Sequence, residues 1–450
     1  MDRSKRLATK HIPALLAQFA IPSIASLVLH AFYNVADRIF IGQGVGSLGL
    51  AGVTLCFPII LLIFGICMLF SSGSSSLISL YLGQGRNDKA EKVLGTTVFA
   101  ITVIGFGLAI IGHLYYRQIL GLFNIPADVL PYAEGYLRII LSGSPLFLYG
   151  FTLTFIIRAE GNPMYATMAI VVGTFVNLIL DPLFIFVFSM GTEGAALATI
   201  ISEAIVALMG LFYMTRKRGV VHIHRNNFVF DMPVIKTITF LGLSTAFMNI
   251  ASSFQCAFLN ERLLTYGGNL AIAAMGIIFP IASVLRLFTF GMAAGMQPII
   301  GYNYGAGQNI RVKDTFYYAC KINFLAISVF VFLIMLFAGN IVGLFSKNDP
   351  DLVALGTHAM RIFLVMTSFD VVTILGGRYF QAIGKGMQAV MLGLLRQILI
   401  FVPVLYLLSI KYRLNGIWFS EPITELIAAA VALLFMTKAM KALTTPTVIQ

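Results

Sequence analysis

Residues 48–89 read LGLAGVTLCFPIILLIFGICMLFSSGSSSLISLYLGQGRNDK, and residues 270–311 read LAIAAMGIIFPIASVLRLFTFGMAAGMQPIIGYNYGAGQNIR. Phe57-Pro58-Ile59 in the first stretch returns as Phe279-Pro280-Ile281 in the second, and Gly83-x-Gly85-x-Asn87-x-Lys89 returns as Gly305-x-Gly307-x-Asn309-x-Arg311. The offset is 222 residues (83 to 305), close to half of the 450-residue chain. Further out, Arg158-Ala159-Glu160-Gly161 answers Gln381-Ala382-Ile383-Gly384, Arg138 answers Arg361, and Gly194 and Glu203 answer Gly416 and Glu425. Matches spread over most of the half-length mark a duplicated unit. Positions 48–82 hold no charged residue, a run well beyond the ~20 apolar residues that a membrane-crossing helix needs.

Similar runs occur at 14–41, 93–116, 132–158, 164–188, 194–215, 237–264, 270–303, 316–344, 352–381, 387–409 and 416–437, making twelve in all. They are continuous rather than alternating, which excludes a transmembrane β-barrel and predicts an all-α integral membrane protein with twelve transmembrane helices. Composition agrees: apolar residues make up 59% of the chain and charged residues 11%, against about 25% charged in a soluble domain. Six runs per half is an even number, so both copies enter from the same side as parallel six-helix lobes. The expected organisation is 1–215 as the N-terminal lobe, 216–236 as a basic connector, and 237–450 as the C-terminal lobe.

The net charge of +12 reads as topology rather than as nucleic-acid binding. Arg3, Lys5, Arg6 and Lys10, then Arg86, Lys89 and Lys92, then Arg216, Lys217, Arg218, Arg225 and Lys236, then Arg311 and Lys313, then Lys438 and Lys441 all fall on one side if twelve spans alternate. The opposite face carries only Arg117, Lys347, Lys411 and Arg413. The positive-inside bias therefore puts both termini of a multi-pass membrane protein in the cytoplasm. The basic N-terminal segment precedes an apolar run too long for a signal-peptide core and is read as retained. Cys56, Cys67, Cys256 and Cys320 lack CxxC spacing, so neither disulfides nor structural zinc are expected. Gly44-x-Gly46-x-x-Gly49 has no preceding strand, and no glycine-rich loop is followed by the Lys-Ser/Thr of a P-loop. Dinucleotide binding and direct ATP drive are thereby set aside.

Two homologous lobes in a bilayer suggest alternating access about a site near the midplane, with a scaffold or channel as the competing use of such bundles. Intramembrane charge locates the chemistry, because it is expensive to insert. Asp37 shares a helical face with Asn34 and His30, and Pro22 farther back can kink the same helix. The fifth span carries Thr174, Asn177 and Asp181 at helical spacing, followed by Pro182. If the two spans face a common interior, their carboxylates and amides can pass a proton or coordinate a monovalent cation. The bland alternative leaves Asp37 solvated beside Arg38. Arg138 with Glu203, and Arg361 with Glu425, are expected to brace the two lobes. Asp370 is divided between a cleft role and pairing with Arg378 or Arg396.

Together, Tyr33-Asn34-Val35-Ala36-Asp37-Arg38-Ile39-Phe40-Ile41-Gly42, Leu82-Gly83-Gln84-Gly85, Ile157-Arg158-Ala159-Glu160-Gly161 and Asn177-x-x-x-Asp181-Pro182 resemble the MATE (multidrug and toxic compound extrusion) family, closest to its MepA-like bacterial branch. The resemblance covers essentially the whole chain. It implies a V-shaped cleft between the lobes and export of organic cations and amphipathic compounds by antiport with protons or sodium. It further implies a coupling site at Asp37, Asn177 and Asp181, with Asn34, Tyr136, Thr199 and His30 around it and a hinge at Pro22. No cofactor is expected, and no metal other than a possible sodium ion on Asp37, Asn177 and Asp181. Another branch pairs a seventh-helix Glu with a tenth-helix Asp. Here Asp370 fits that pattern while Gln255 replaces the acid, which leaves Asp370 and Gln255 as secondary cleft candidates. The expected partners are small-molecule drugs and the lipid bilayer, with no nucleic acid, and the chain is expected to be monomeric. The alternatives are a lipid-linked oligosaccharide flippase of the same superfamily, a channel, or a membrane-embedded enzyme.

Overall fold

The computed structural model describes residues 5–121, 127–216, 219–345 and 350–443, and every regular element among them is helical. Arg3, Lys217, Arg218 and Lys347, used above for orientation, lie outside the described residues, as do the side chains of Asn34 and Arg225. The N-terminal half runs α1 (Lys5–Thr9), α2 (Ile12–Gly44), α3 (Ser47–Gly83), α4 (Asn87–Gly121), α5 (Leu130–Ser142), α6 (Ser144–Ala159), α7 (Pro163–Pro182) and α8 (Gly191–Thr215). The remainder runs α9 (Met232–Gly305), α10 (Asn309–Leu336), α11 (Ala338–Phe345), α12 (Pro350–Leu364), α13 (Asp370–Ala382), α14 (Gly386–Leu394) and α15 (Phe401–Ala442). Short π-helical turns at Leu183–Val187 and Leu395–Ile400 continue α7 and join α14 to α15.

All twelve apolar runs fall on helix, and continuity changes how they are counted. Nine helices among the described residues are long and apolar enough to cross a bilayer, or ten if the pair α5–α6, bent by 53°, is one span. The difference from twelve lies in two long helices. The 74-residue α9 and the 56-residue run Gly386–Lys441 each cover two of the apolar runs. At ~1.5 Å per residue they would extend some 110 and 84 Å, against a hydrocarbon core of ~30 Å. Each contains one non-helical residue, Gly268 (φ 61°, ψ −157°) and Arg413 (φ 51°, ψ −128°), where a leg can end. A glycine takes such a positive φ at no steric cost, whereas Arg413 is strained there.

Two features show why these helices suit lipid. Val103, Phe106, Ile110 and Leu114 on α4 repeat every three to four residues, and each is more than half exposed, a face that only an apolar solvent would cover. On α3 the polar run at 71–79 is buried. Ser71, Ser72, Ser74 and Ser76 return their hydroxyls to the carbonyls of Cys67, Met68, Phe70 and Ser72 at 2.6–2.9 Å. Serines bonded to their own helix can enter a membrane without leaving polar groups unsatisfied.

Contacts divide the chain into two compact units, 1–10 with 21–242 and 11–20 with 243–450. The division at 242/243 falls beyond the basic connector, and the opening turns of α2 belong with the second unit. Pro22 stands two residues past that changeover. It lacks an N–H to bond the Gln18 carbonyl, and its own carbonyl accepts from Ser26 Oγ at 2.7 Å and Thr167 Oγ1 at 3.1 Å. In the first unit α7 packs on α8 and α6 on both α3 and α8. Close approach is achieved by small residues: a Cβ on Gly242 would lie 1.9 Å from the Leu69 carbonyl oxygen. The connector is fastened to this unit. Glu160 Oε2 accepts from the N–H groups of Val220 and Val221 at 2.9 and 3.2 Å, and Glu91 lies 3.3 Å from His224 Nε2. The second unit is built around Leu259, Ile278, Phe363 and Trp418.

Candidate ion-coupling site

The i,i+4 spacing on α7 puts Asn177 directly over Asp181, and Asn177 Nδ2 donates to Asp181 Oδ1 at 3.4 Å. Asp37 on α2 is near enough to Asp181 for the two acids to interact electrostatically. Asp37, Asn177 and Asp181 are 8%, 1% and 1% exposed. Asp37 Oδ1, Asn177 Oδ1 and Asp181 Oδ2 are buried without a hydrogen-bond partner. Two of these three oxygens belong to acids, and oxygens of this kind are the donors that take a proton or a small cation.

Tyr136 from α5 and Thr199 from α8 line one cavity with Asp37, together with Tyr33, Arg38 and Phe57. Arg38 lies 5.4 Å above the Phe57 ring, so it does not neutralise the buried pair through an ion pair. His30 is not among the residues lining the Asp37 cavity. It meets Tyr33 edge-on at 4.8 Å between ring centroids and lines a second cavity with Thr174, Asn177, Arg158 and Glu203. The structure thus brings five predicted residues together, sets His30 in the neighbouring cavity, and leaves the Asn34 side chain outside the described residues.

The second unit is arranged differently. Asp370, 3% exposed, lies 3.1 Å from Arg396 Nε and 3.4 Å from Arg286 Nε. Arg286 and Arg396 both reach Glu421 Oε1, at 2.7 and 2.9 Å, and Arg396 also binds Glu425 Oε1. Gln255 Nε2 donates to Glu421 Oε2 at 3.4 Å. Of the two partners considered for Asp370, Arg396 is the one; Arg378 instead donates to Gln381 Oε1 at 2.9 Å. Two pairings expected from depth are corrected. Arg138 pairs with Glu193 at 3.5 Å, half exposed, rather than with Glu203. Arg361 donates to the Met335 carbonyl, and Glu425 takes Arg396 instead. Sequence position estimates depth along a helix but not the direction a side chain faces. Arg286 and Glu421 were missed, although both sit inside apolar runs and Glu421 precedes Glu425 by one helical turn.

The MatE family model matches this chain twice, over residues 22–183 and 244–407, the second match beginning 222 residues after the first. The multidrug export protein MepA of Staphylococcus aureus (strain MSSA476) is 27% identical over 426 residues, covering 94% of this chain and 92% of that protein. A crystal structure of a MATE protein in the bent conformation superposes with a TM-score of 0.91 at 26% identity, covering 98% of both chains. An outward-facing multidrug resistance MATE transporter of the MOP superfamily gives a TM-score of 0.90 at 25% identity, over 97% of this chain and 99% of that one. With both halves matched and the fold shared from end to end, the chain belongs to the MATE family, in its MepA-like branch, and is a multi-pass membrane transporter rather than an enzyme.

Proposed function

We propose that this chain is a secondary exporter of organic cations and amphipathic drugs in the bacterial cytoplasmic membrane, driven by inward movement of protons or sodium through alternating access. The observation that carries the reading is the buried Asp37–Asp181–Asn177 cluster with its three unpartnered oxygens. A proton entering between the two carboxyls removes a buried negative charge, and its departure restores one. That change is the signal that α2, bendable at Pro22, can convert into a conformational step. Each proton contributes about 1.4 kcal/mol per pH unit and about 2.3 kcal/mol per 100 mV, so one or two support useful drug accumulation. Tyr136 and Thr199 flank the path to Asp37. Asp370 is held by resident guanidiniums, which occupy the electrostatic role a coupling cation would play there. Three carboxylates facing two arginines also speak against a pyrophosphate-bearing cargo at that place, and hence against the flippase alternative. The Lys/Arg bias supports an orientation with both termini inside.

The test is ethidium efflux from proteoliposomes under a pH gradient and, separately, a sodium gradient. A pH gradient alone should drive efflux, and Asp37→Asn or Asp181→Asn should stop it in protein that inserts normally. A double variant that still exports would overturn the mechanism.

A further inference from the structure

One face of α10 runs from charge to hydrocarbon. Arg311, Asp314, Tyr318 and Lys321 follow one another at intervals of three to four residues, and Ile322, Leu325, Val329, Phe332 and Leu336 continue the same face, each 39–61% exposed. The apolar part is a surface for acyl chains. Its charged end opens into a cavity of about 480 Å³ within the second unit, where Arg311, Asp314, Tyr317, Tyr318 and Lys321 of α10 meet His11 at the start of α2. Arg311 Nε donates to Asn303 Oδ1 at 3.1 Å. Arg311 and Lys321 outnumber the single acid, Asp314, so the lining favours an anion.

The duplicated half treats the same face in the opposite way. At the 222-residue offset Arg311, Asp314, Tyr317, Tyr318 and Lys321 answer Lys89, Lys92, Gly95, Thr96 and Phe99 on α4. There the connector lies across the helix. A Cβ on Gly95 would come within 2.2 Å of the Asn227 carbonyl oxygen, Phe99 meets the rings of Phe228 and Phe230 edge-on at 5.2 and 6.2 Å, and Lys92 pairs with Asp231. The first unit thus covers its copy of the face with its own chain. On α10 a tyrosine replaces the glycine that admits a covering backbone, a lysine replaces the packed phenylalanine, and Tyr317, Tyr318 and Lys321 stay exposed.

We propose that this cavity binds the phosphate headgroup of an anionic phospholipid, with Arg311 and Lys321 on the phosphate, Tyr317 and Tyr318 beside the glycerol esters, and the acyl chains along Leu325, Val329 and Phe332. Basic and aromatic side chains at the end of a lipid-facing stripe are the groups by which a helix holds headgroups. The lipid belongs to the leaflet that meets the Asn309 end of α10. The proposal rests on the bilayer setting and is independent of the export reading.

Native mass spectrometry of the purified full-length protein, titrated with dioleoylphosphatidylglycerol or dioleoylphosphatidylcholine, tests it. The wild-type protein should bind the first phosphatidylglycerol roughly tenfold more tightly than the first phosphatidylcholine. Lys321→Gln should cut that preference by about fivefold, the scale of one basic side chain at an anionic surface, and Lys321→Arg should keep it. Lys89→Gln, which removes a charge at the place on α4 that answers Arg311, should leave it unchanged. Equal binding of the two lipids by the wild-type protein, a preference that Lys321→Gln leaves intact, or an equal loss in Lys321→Gln and Lys89→Gln overturns the proposal. Lys321 is exposed and the readout is a ratio between two lipids, so a loss of folded protein does not imitate the expected result. Glycerol 3-phosphate, which carries the phosphate without acyl chains, should not displace the lipid at millimolar concentration; displacement would assign the cavity to a free phosphate ester and overturn the lipid.

Discussion

Both halves of this transporter bury acids in the bilayer, and they stabilise them by opposite means. In the second unit Asp370, Glu421 and Glu425 are tied to Arg286 and Arg396. In the first, Asp181 has Asn177 as its hydrogen-bond partner and Asp37 nearby, with no guanidinium in an ion pair to either among the described residues. Resident guanidiniums make a charge permanent and structural. Acids that lack them must borrow neutrality from something that arrives, whether an ion or a ligand. The same duplicated frame therefore yields one half suited to holding shape and one suited to exchange.

The sharpest way to break this contrast is transport itself: Asp181→Asn should abolish proton-driven efflux while leaving the thermal unfolding midpoint in detergent nearly unchanged, because no partner is stranded. Arg396→Gln should do the reverse in kind. It leaves three buried carboxylates facing one arginine, and removal of one member of a buried ion-pair network costs about 3–5 kcal/mol. A clear fall in the unfolding midpoint should follow, and an unchanged midpoint would show that the network is not structural. Gly242→Ala tests close helix packing in the first unit. Its Cβ would meet the Leu69 carbonyl oxygen at 1.9 Å, and forced separation should cost about 1–3 kcal/mol, read by the same melt. Smallest should be Arg138→Ala. With Arg138 44% and Glu193 45% exposed, this ion pair is worth at most about 1 kcal/mol, so melting and efflux should both stay close to wild type.

The candidate coupling cluster was legible because Asn177 and Asp181 lie one helical turn apart and because charge in an apolar run is rare. Arg286 and Glu421 obey the second rule as well, but nothing local distinguishes them: their meaning comes from converging with Asp370, Arg396 and Glu425 from separate helices. The two misassigned braces, Arg138 with Glu203 and Arg361 with Glu425, failed for a related reason. Similar depth in the bilayer allows two side chains to meet only if their helices turn the right faces towards each other.

The linear chain by itself determined the helical class, the membrane setting, the duplication and the identity of the acids on α2 and α7, because apolar runs, helical spacing and repeated motifs are properties of neighbours along the backbone. Tertiary structure alone decided which acids keep a cation and which do not, and that Gly268 and Arg413 interrupt helices otherwise continuous through two apolar runs. Those outcomes depend on the rotation and approach of helices far apart in sequence, which packing sets and composition does not encode.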